Sequence, residues 1–188
     1  MSKPRAIVGL LRGVNVGAHN RISMQALRDI CESLGLREPR TYVQSGNVVF
    51  RADTDDLPRL ATRIEKAIEK GAGFRTPVIL RTASEMRDVV RRNPVADRKG
   101  VDPAKFLVIF LASAPDAEAC SKARGIDIHP EELWIEGREI YMYFPNGLAR
   151  PKVSWTAIEK AVRVPGTGRN WNTVLNLRDM AEEMETSA

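Results

Sequence analysis

The sequence predicts an α+β fold: an N-terminal ferredoxin-like βαββαβ subdomain followed by a second, smaller α+β subdomain of order βαββαα. Three observations predict it. Continuous apolar runs at residues 6–11 and 106–111 read as buried strands. Stretches with apolar residues at helical spacing alternate with them. Gly, Pro, Asn and Asp punctuate the boundaries. A chain of 188 residues has room for two cores. We expect them over residues 1–93 and 105–188, joined by an aperiodic linker at 94–104.

The elements follow in order. Residues 6–11, Ala-Ile-Val-Gly-Leu-Leu, form the first strand, and a glycine-containing loop carries the chain to Ser23, a good helix N-cap. Met24, Leu27, Ile30, Cys31 and Leu34 then recur at helical spacing, and Gly35 stops the helix. Strands at 41–44 and 47–50 flank Ser45-Gly46, a two-residue turn of the hairpin type. Asp55 or Asp56 caps a second helix with Pro58 in its first turn. Its stripe is Leu57, Leu60, Ala61, Ile64, Ala67 and Ile68, and Gly71 and Gly73 end it. Pro77 opens a fourth strand at 78–80, and a third helix from Ser84 to about Arg92 is stopped by Pro94.

The second subdomain begins with the strand at 106–111. A short helix follows Asp116, with Ala117, Cys120 and Ala123 inward. Residues 133–135 and 140–144 make a hairpin around Glu136-Gly137, and a helix spans 153–162. A polar segment at 167–173 leads into a last helix over 172–185, with Val174, Leu177, Ala181 and Met184 on one side. Two βαββα units in series suggest a duplication, but the residues alone are too dissimilar to argue it.

The predicted topology places a surface. Each βαβ crossover returns its second strand parallel to its first. The hairpin after strand two therefore lies at the same sheet end as the loop after strand one. Arg12, Asn15, Asn20 and Arg21 should approach Gln44, Ser45 and Asn47, beside the N–H groups that open the first helix.

Three motifs carry a family resemblance. They are Leu-Leu-Arg-Gly-Val-Asn-Val-Gly at 10–17, Arg-Thr-Tyr-Val-Gln-Ser-Gly-Asn-Val-Val-Phe at 40–50, and Arg-Asn-Trp-Asn-Thr-Val at 169–174. In that order and spacing the chain resembles, nearly end to end, the uncharacterised bacterial family known as domain of unknown function 1697. The resemblance implies a two-subdomain α+β fold with a ferredoxin-like first half, and brings no activity, substrate or cofactor. Family members often carry Ser-Lys-Leu where this chain has Pro151-Lys152-Val153, so only Lys152 carries over. They tend to have paired threonines where this chain reads Thr167-Gly168, so no hydroxyl role transfers to position 168.

Composition narrows the chemistry. Twenty-nine basic against 24 acidic residues give a net charge of +5 and a pI near 9.5, compatible with an anionic partner. Cys31 and Cys120 fall on apolar helix faces as free thiols, and no Cys/His spacing indicates a metal or other cofactor. The N-terminal apolar run is too short for a signal peptide and is broken by Arg12, so we expect a cytoplasmic protein without membrane contact. The first loop lacks the Gly-Lys-Ser/Thr of a P-loop and the G-x-G-x-x-G of a dinucleotide site. What it offers is two arginines at a helix N-terminus, a recipe for holding an anion. Ser45 and His19 could pair, but no third group orients them as a nucleophile would require. Lys152 and Arg169 suit a phosphate, and Trp171 or Tyr42 offers a stacking face. Of the two central strands, 6–11 and 47–50, the first has no aromatic, and the consensus with which an RNA-recognition fold reads bases is absent, so base reading on the sheet face is not expected.

These readings converge on a protein binding a phosphate-bearing small molecule or nucleic acid. The ligand-binding set is Arg12, Asn15, Arg21, Gln44, Ser45, Asn47, Lys152, Arg169, Asn170, Trp171 and Asn172. A metal-independent small-molecule enzyme using the same cleft is the alternative, and an interaction module without ligand a third. No catalytic residue or oligomeric state is specified.

Overall fold

The computed structural model describes residues 4–149 and 151–187. They form two compact units. One comprises the residues up to Asp88 together with those from Leu175 onward, and the other spans Val89–Val174.

In the first unit, β1 (Arg5–Leu11), α1 (Met24–Ser33), β2 (Arg37–Thr41), β3 (Asn47–Ala52), α2 (Leu57–Ala72) and β4 (Val78–Thr82) follow the ferredoxin-like order. The sheet runs β2-β3-β1-β4 with every neighbouring pair antiparallel. Its helices start where the sequence places good caps. Ser23 Oγ accepts the Ala26 N–H at 3.0 Å, and the Asp56 carboxylate accepts that of Arg59 at 3.0 Å. Such caps contribute about 1 kcal/mol each. The apolar stripes contribute more, because Leu60, Ile64 and Ile68 of α2 are buried against Ile7, Leu11, Phe50 and Leu80, and each such side chain is worth roughly 1.5–3 kcal/mol. Both faces of β1 are closed to solvent, since Ala6, Val8 and Leu10 are as buried as Ile7 and Leu11.

The β2 strand starts and ends earlier than the sequence suggests. Tyr42 and Val43 look like strand residues but belong to a five-residue loop, in which Val43 takes φ 47° and Gly46 φ 74°. The strand itself is the charged run Arg37–Thr41, containing Pro39, which an edge strand tolerates because one side of it makes no ladder bonds.

The second unit contains β5 (Phe106–Leu111), α4 (Ala117–Arg124), β6 (Glu132–Glu136), β7 (Glu139–Tyr143), α5 (Trp155–Val162) and β8 (Gly166–Asn170). Its sheet order, β6-β7-β5-β8, is the permutation of the first unit, again fully antiparallel. On α4 the buried alanines are Ala119 and Ala123, with Cys120 half-buried and Ala117 exposed. The strand β8 is an addition to the expected order, formed where the sequence reads as a polar segment. It pairs because Gly166 lets it approach β5: a Cβ there would lie 2.9 Å from Leu111 Cδ2 and 3.0 Å from Trp155 Cζ2. Each fourth strand leads into a further helix, α3 (Ala83–Arg91) after β4 and α6 (Trp171–Thr186) after β8.

The register supplies the argument for duplication that composition lacks. The Pro77 carbonyl accepts the Arg12 N–H, and the Pro165 carbonyl the Ala112 N–H, each at 3.0 Å. Four residues on, Arg81 pairs with Val8 and Arg169 with Val108. Both arginines are buried, and each turns back on the preceding carbonyl, Arg81 to Leu80 at 2.9 Å and Arg169 to Gly168 at 2.8 Å.

Candidate functional site

The two loops named from topology meet at one end of the first sheet. Because β1 and β2 are both antiparallel to β3, they run the same way. Leu10 is paired with Asn47, and the ladder continues one step further, with the Leu11 N–H donating to the Gly46 carbonyl at 2.9 Å.

Asn15 joins the loops. It sits in the left-handed region at φ 56°, where Asn is among the few side-chain-bearing residues tolerated. Its Nδ2 donates to the Ile22 carbonyl at 2.9 Å and to the Gln44 carbonyl at 2.8 Å, while its Oδ1 accepts the Ile22 N–H at 3.0 Å. One amide thus pins the start of α1, the first loop and the second loop together. Asn47 does the same inside the second loop, where its fully buried side chain donates to the Tyr42 carbonyl at 3.0 Å and to Ser45 Oγ at 2.9 Å. Both asparagines are spent on bracing. Below them, buried Thr76 donates its hydroxyl to the Arg12 carbonyl at 2.6 Å.

The braced loops present a basic surface. The first carboxylate in the chain is Asp29, and there is none between Glu38 and Asp53, so both loops and the first turn of α1 are free of acidic side chains. Arg21 is exposed and donates to the Gly17 carbonyl at 3.0 Å. Arg28, one turn into α1, donates at 2.6 Å to both Thr41 Oγ1 and Gln25 Oε1. Among the described residues neither arginine forms an ion pair, so neutral oxygens orient them and leave their charge uncompensated. Arg12 is half-exposed at the root of the first loop, and Gln44 and Ser45 are exposed on the second. His19 is exposed and makes no hydrogen bond among the described residues, so the Ser45–His19 pair is not formed.

The other nominated residues lie in the second unit. Lys152 forms an ion pair with Asp127 at 2.8 Å, and its N–H donates to Glu131 at 3.1 Å. Arg169 is buried in β8, donating to Thr167 Oγ1 at 2.8 Å, and burial pushes its guanidinium down to about 10. It is still cationic at neutral pH. Asn170 donates to the Ala104 carbonyl at 3.0 Å, and its Oδ1 accepts the Asn172 N–H at 3.0 Å. The Trp171 ring packs on Phe106 with centroids 5.1 Å apart. These bonds serve the fold of the second unit itself. Among the described residues no three His, Cys, Asp or Glu side chains gather as a metal would require, and no helix is long and apolar enough to cross a membrane.

Sequence reasoning did not single out Arg28, Thr76, Val16 or Val43. The long carboxylate-free opening of the chain was the available signal for Arg28. Nothing local marks Thr76, which reaches Arg12 across 64 positions.

The profile of a family described as "protein of unknown function (DUF1697)" matches residues 5–141. The chain belongs to this family. The match covers the first unit as far as Asp88, with both loops of the candidate site, and most strands of the second, and stops short of the residues from Leu175 onward that complete the first unit. A solved structure of a conserved bacterial protein from Streptococcus pneumoniae is similar throughout, with a TM-score of 0.72 and 21% identity over 95% of this chain and 99% of that one. At that identity the likeness carries the fold. No curated protein matches the sequence.

Proposed function

We propose that the loops at residues 12–22 and 42–46 bind a phosphate-bearing ligand, with Arg21 and Arg28 as the charged contacts and Arg12 at the edge of the same surface. One observation carries this reading: Arg21, on a loop locked to its neighbour by Asn15, and Arg28, on the helix beside it, are held by neutral oxygens and form no ion pair among the described residues, the adjacent Asp29 being bonded to Gln25 instead. A guanidinium so placed keeps its fork of donors oriented without an internal counter-ion, which is the arrangement that favours phosphate oxygens. The basic excess of the whole chain acts in the same direction.

The test is a titration with inorganic phosphate, pyrophosphate and nucleotides at about 50 mM and about 200 mM salt. Binding should appear at the lower salt, weaken at the higher, and fall severalfold in Arg21→Ala and Arg28→Ala. Neither change should disturb folding, since neither side chain is buried. Absence of binding by every phosphate compound at low salt overturns the proposal.

A further inference from the structure

We infer that the ligand of these loops is single-stranded nucleic acid, its backbone on Arg21 and Arg28 and its bases against Val16 and Val43. The inference rests on the phosphate-binding reading above and names the ligand class for that same surface.

Two observations point beyond a free phosphate. The first concerns apolar exposure. Among the described residues only three large hydrophobic side chains are exposed: Val16 at 72%, Val43 at 51% and Leu148 at 41%. Two of the three stand on the braced loops. They flank the hydrogen-bonded residues themselves, because Val16 follows Asn15 and Val43 precedes Gln44. Scattered exposed valines need no explanation, but each of these two adjoins a residue of the bond that ties the loops together. A phosphate group has no use for them, whereas a nucleobase offers an apolar face.

The second observation is the openness of the surface. Residues 16–21 are all exposed, and a Cβ added at Gly13 or Gly17 would meet nothing within 4 Å. Small ligands bind in concave sites that bury most of their area. On an open surface a mononucleotide would pay the full cost of association for few contacts. A polymer offsets that cost by repeating contacts and by releasing counterions from its own backbone.

A single strand suits the valines better than a duplex, since unpaired bases expose their faces while paired ones are stacked on each other. The sheet faces are not available for this, because both sides of β1 are buried. An acidic peptide would match the charge. It is usually held by a groove or a free strand edge; the loops at 12–22 and 42–46 supply neither, and the edge strand beside them, β2, is short, irregular in register and interrupted by Pro39.

The experiment is fluorescence anisotropy with a labelled single strand of about 12 nucleotides. It is repeated with a duplex of the same length, with a mononucleotide and with a polyglutamate peptide as competitors, each across a salt series. The single strand should bind at least tenfold tighter than the mononucleotide. Arg21→Ala should reduce the slope of log K against log salt by about 0.7, the value for one phosphate of a single strand. The double substitution Val16→Ser, Val43→Ser should weaken binding roughly fivefold at every salt concentration and leave the slope unchanged, since it removes apolar contact and no charge. Equal affinity for the duplex, the mononucleotide or the peptide overturns the inference, as does an unaltered affinity in the valine variant. In those cases phosphate binding itself stands. If no phosphate compound of any length binds at low salt, both readings fall.

Discussion

Replacing Asn15 tests the claim that one side chain locks the two loops. Its amide makes three hydrogen bonds, and its backbone takes φ 56°. A hydrogen bond contributes about 1 kcal/mol net, less for the exposed bond to Gln44. An alanine held in the left-handed region costs roughly 1–2 kcal/mol. Asn15→Ala should therefore destabilise by about 3 kcal/mol, which lowers Tm by ~6–12 °C in a protein of this size. Asn15→Gly loses the same bonds but relieves the backbone, and should recover about 1 kcal/mol. Asn15→Asp keeps shape and acceptor, yet sets a carboxylate 2.8–2.9 Å from the Gln44 and Ile22 carbonyls. At neutral pH it should be the worst of the three. Thermal unfolding followed by circular dichroism gives the ranking. Amide chemical shifts of Gln44 and Ser45 should move in every variant. A Tm loss under about 2 °C for alanine, or unmoved shifts across the second loop, would refute the argument.

Three further outcomes follow from the packing and charge of other side chains. Gly46→Ala should cost at least about 3 kcal/mol, because its φ is 74° and the new Cβ would overlap Val14 Cγ2 and lie 2.8 Å from Leu11 Cβ. Gly17→Ala, at φ 65° with open space around it, should cost only about 1 kcal/mol; paired urea melts showing equal losses would contradict the packing explanation. Burial, with Glu32 adding to it, pushes the Cys31 thiol up to about 12, so iodoacetamide at mild alkaline pH should label half-buried Cys120 first by mass spectrometry. Preferential labelling of Cys31 in the native protein would show that α1 opens. The hydrogen bond from Lys152, then that from the His129 N–H, holds the Asp127 carboxyl below the usual carboxylate range. That contact therefore stabilises above the unfolded value of about 3.9 and fades as pH falls through the lower folded midpoint. Lys152→Ala should raise the Asp127 midpoint in an NMR titration, and an unchanged midpoint would disprove the pairing.

The first unit was largely legible because its signals agree with one another. Ser23 and Asp56 cap where the apolar stripes begin, and the handedness of a crossover was enough to bring Asn15 to Gln44. The errors have separate causes. Val43 has a strand-forming side chain but a left-handed backbone, a conformation dictated by the tight return to Gly46. The run Arg37-Glu38-Pro39-Arg40 looks like a turn because an edge strand need not be apolar on both faces. The strand β8 has no apolar alternation at all, and two of its five residues are glycine. Its legible trace was the spacing from Pro165 to Arg169, which repeats Pro77 to Arg81, and the meaning of that spacing emerges only when both sheets are aligned. The uncompensated charge of Arg28 depends on which oxygens reach it, and that requires the fold.

The division of the chain has a consequence for synthesis. The last helix, with Leu177, Ala181 and Met184 buried, supplies residues to the unit that begins at the opposite terminus. A ribosome that has reached Val174 has made the middle unit entire, while the one started earliest still awaits its closing segment. Growth from the N-terminus normally lets the leading domain settle first; of these two units, the one begun earlier is completed later.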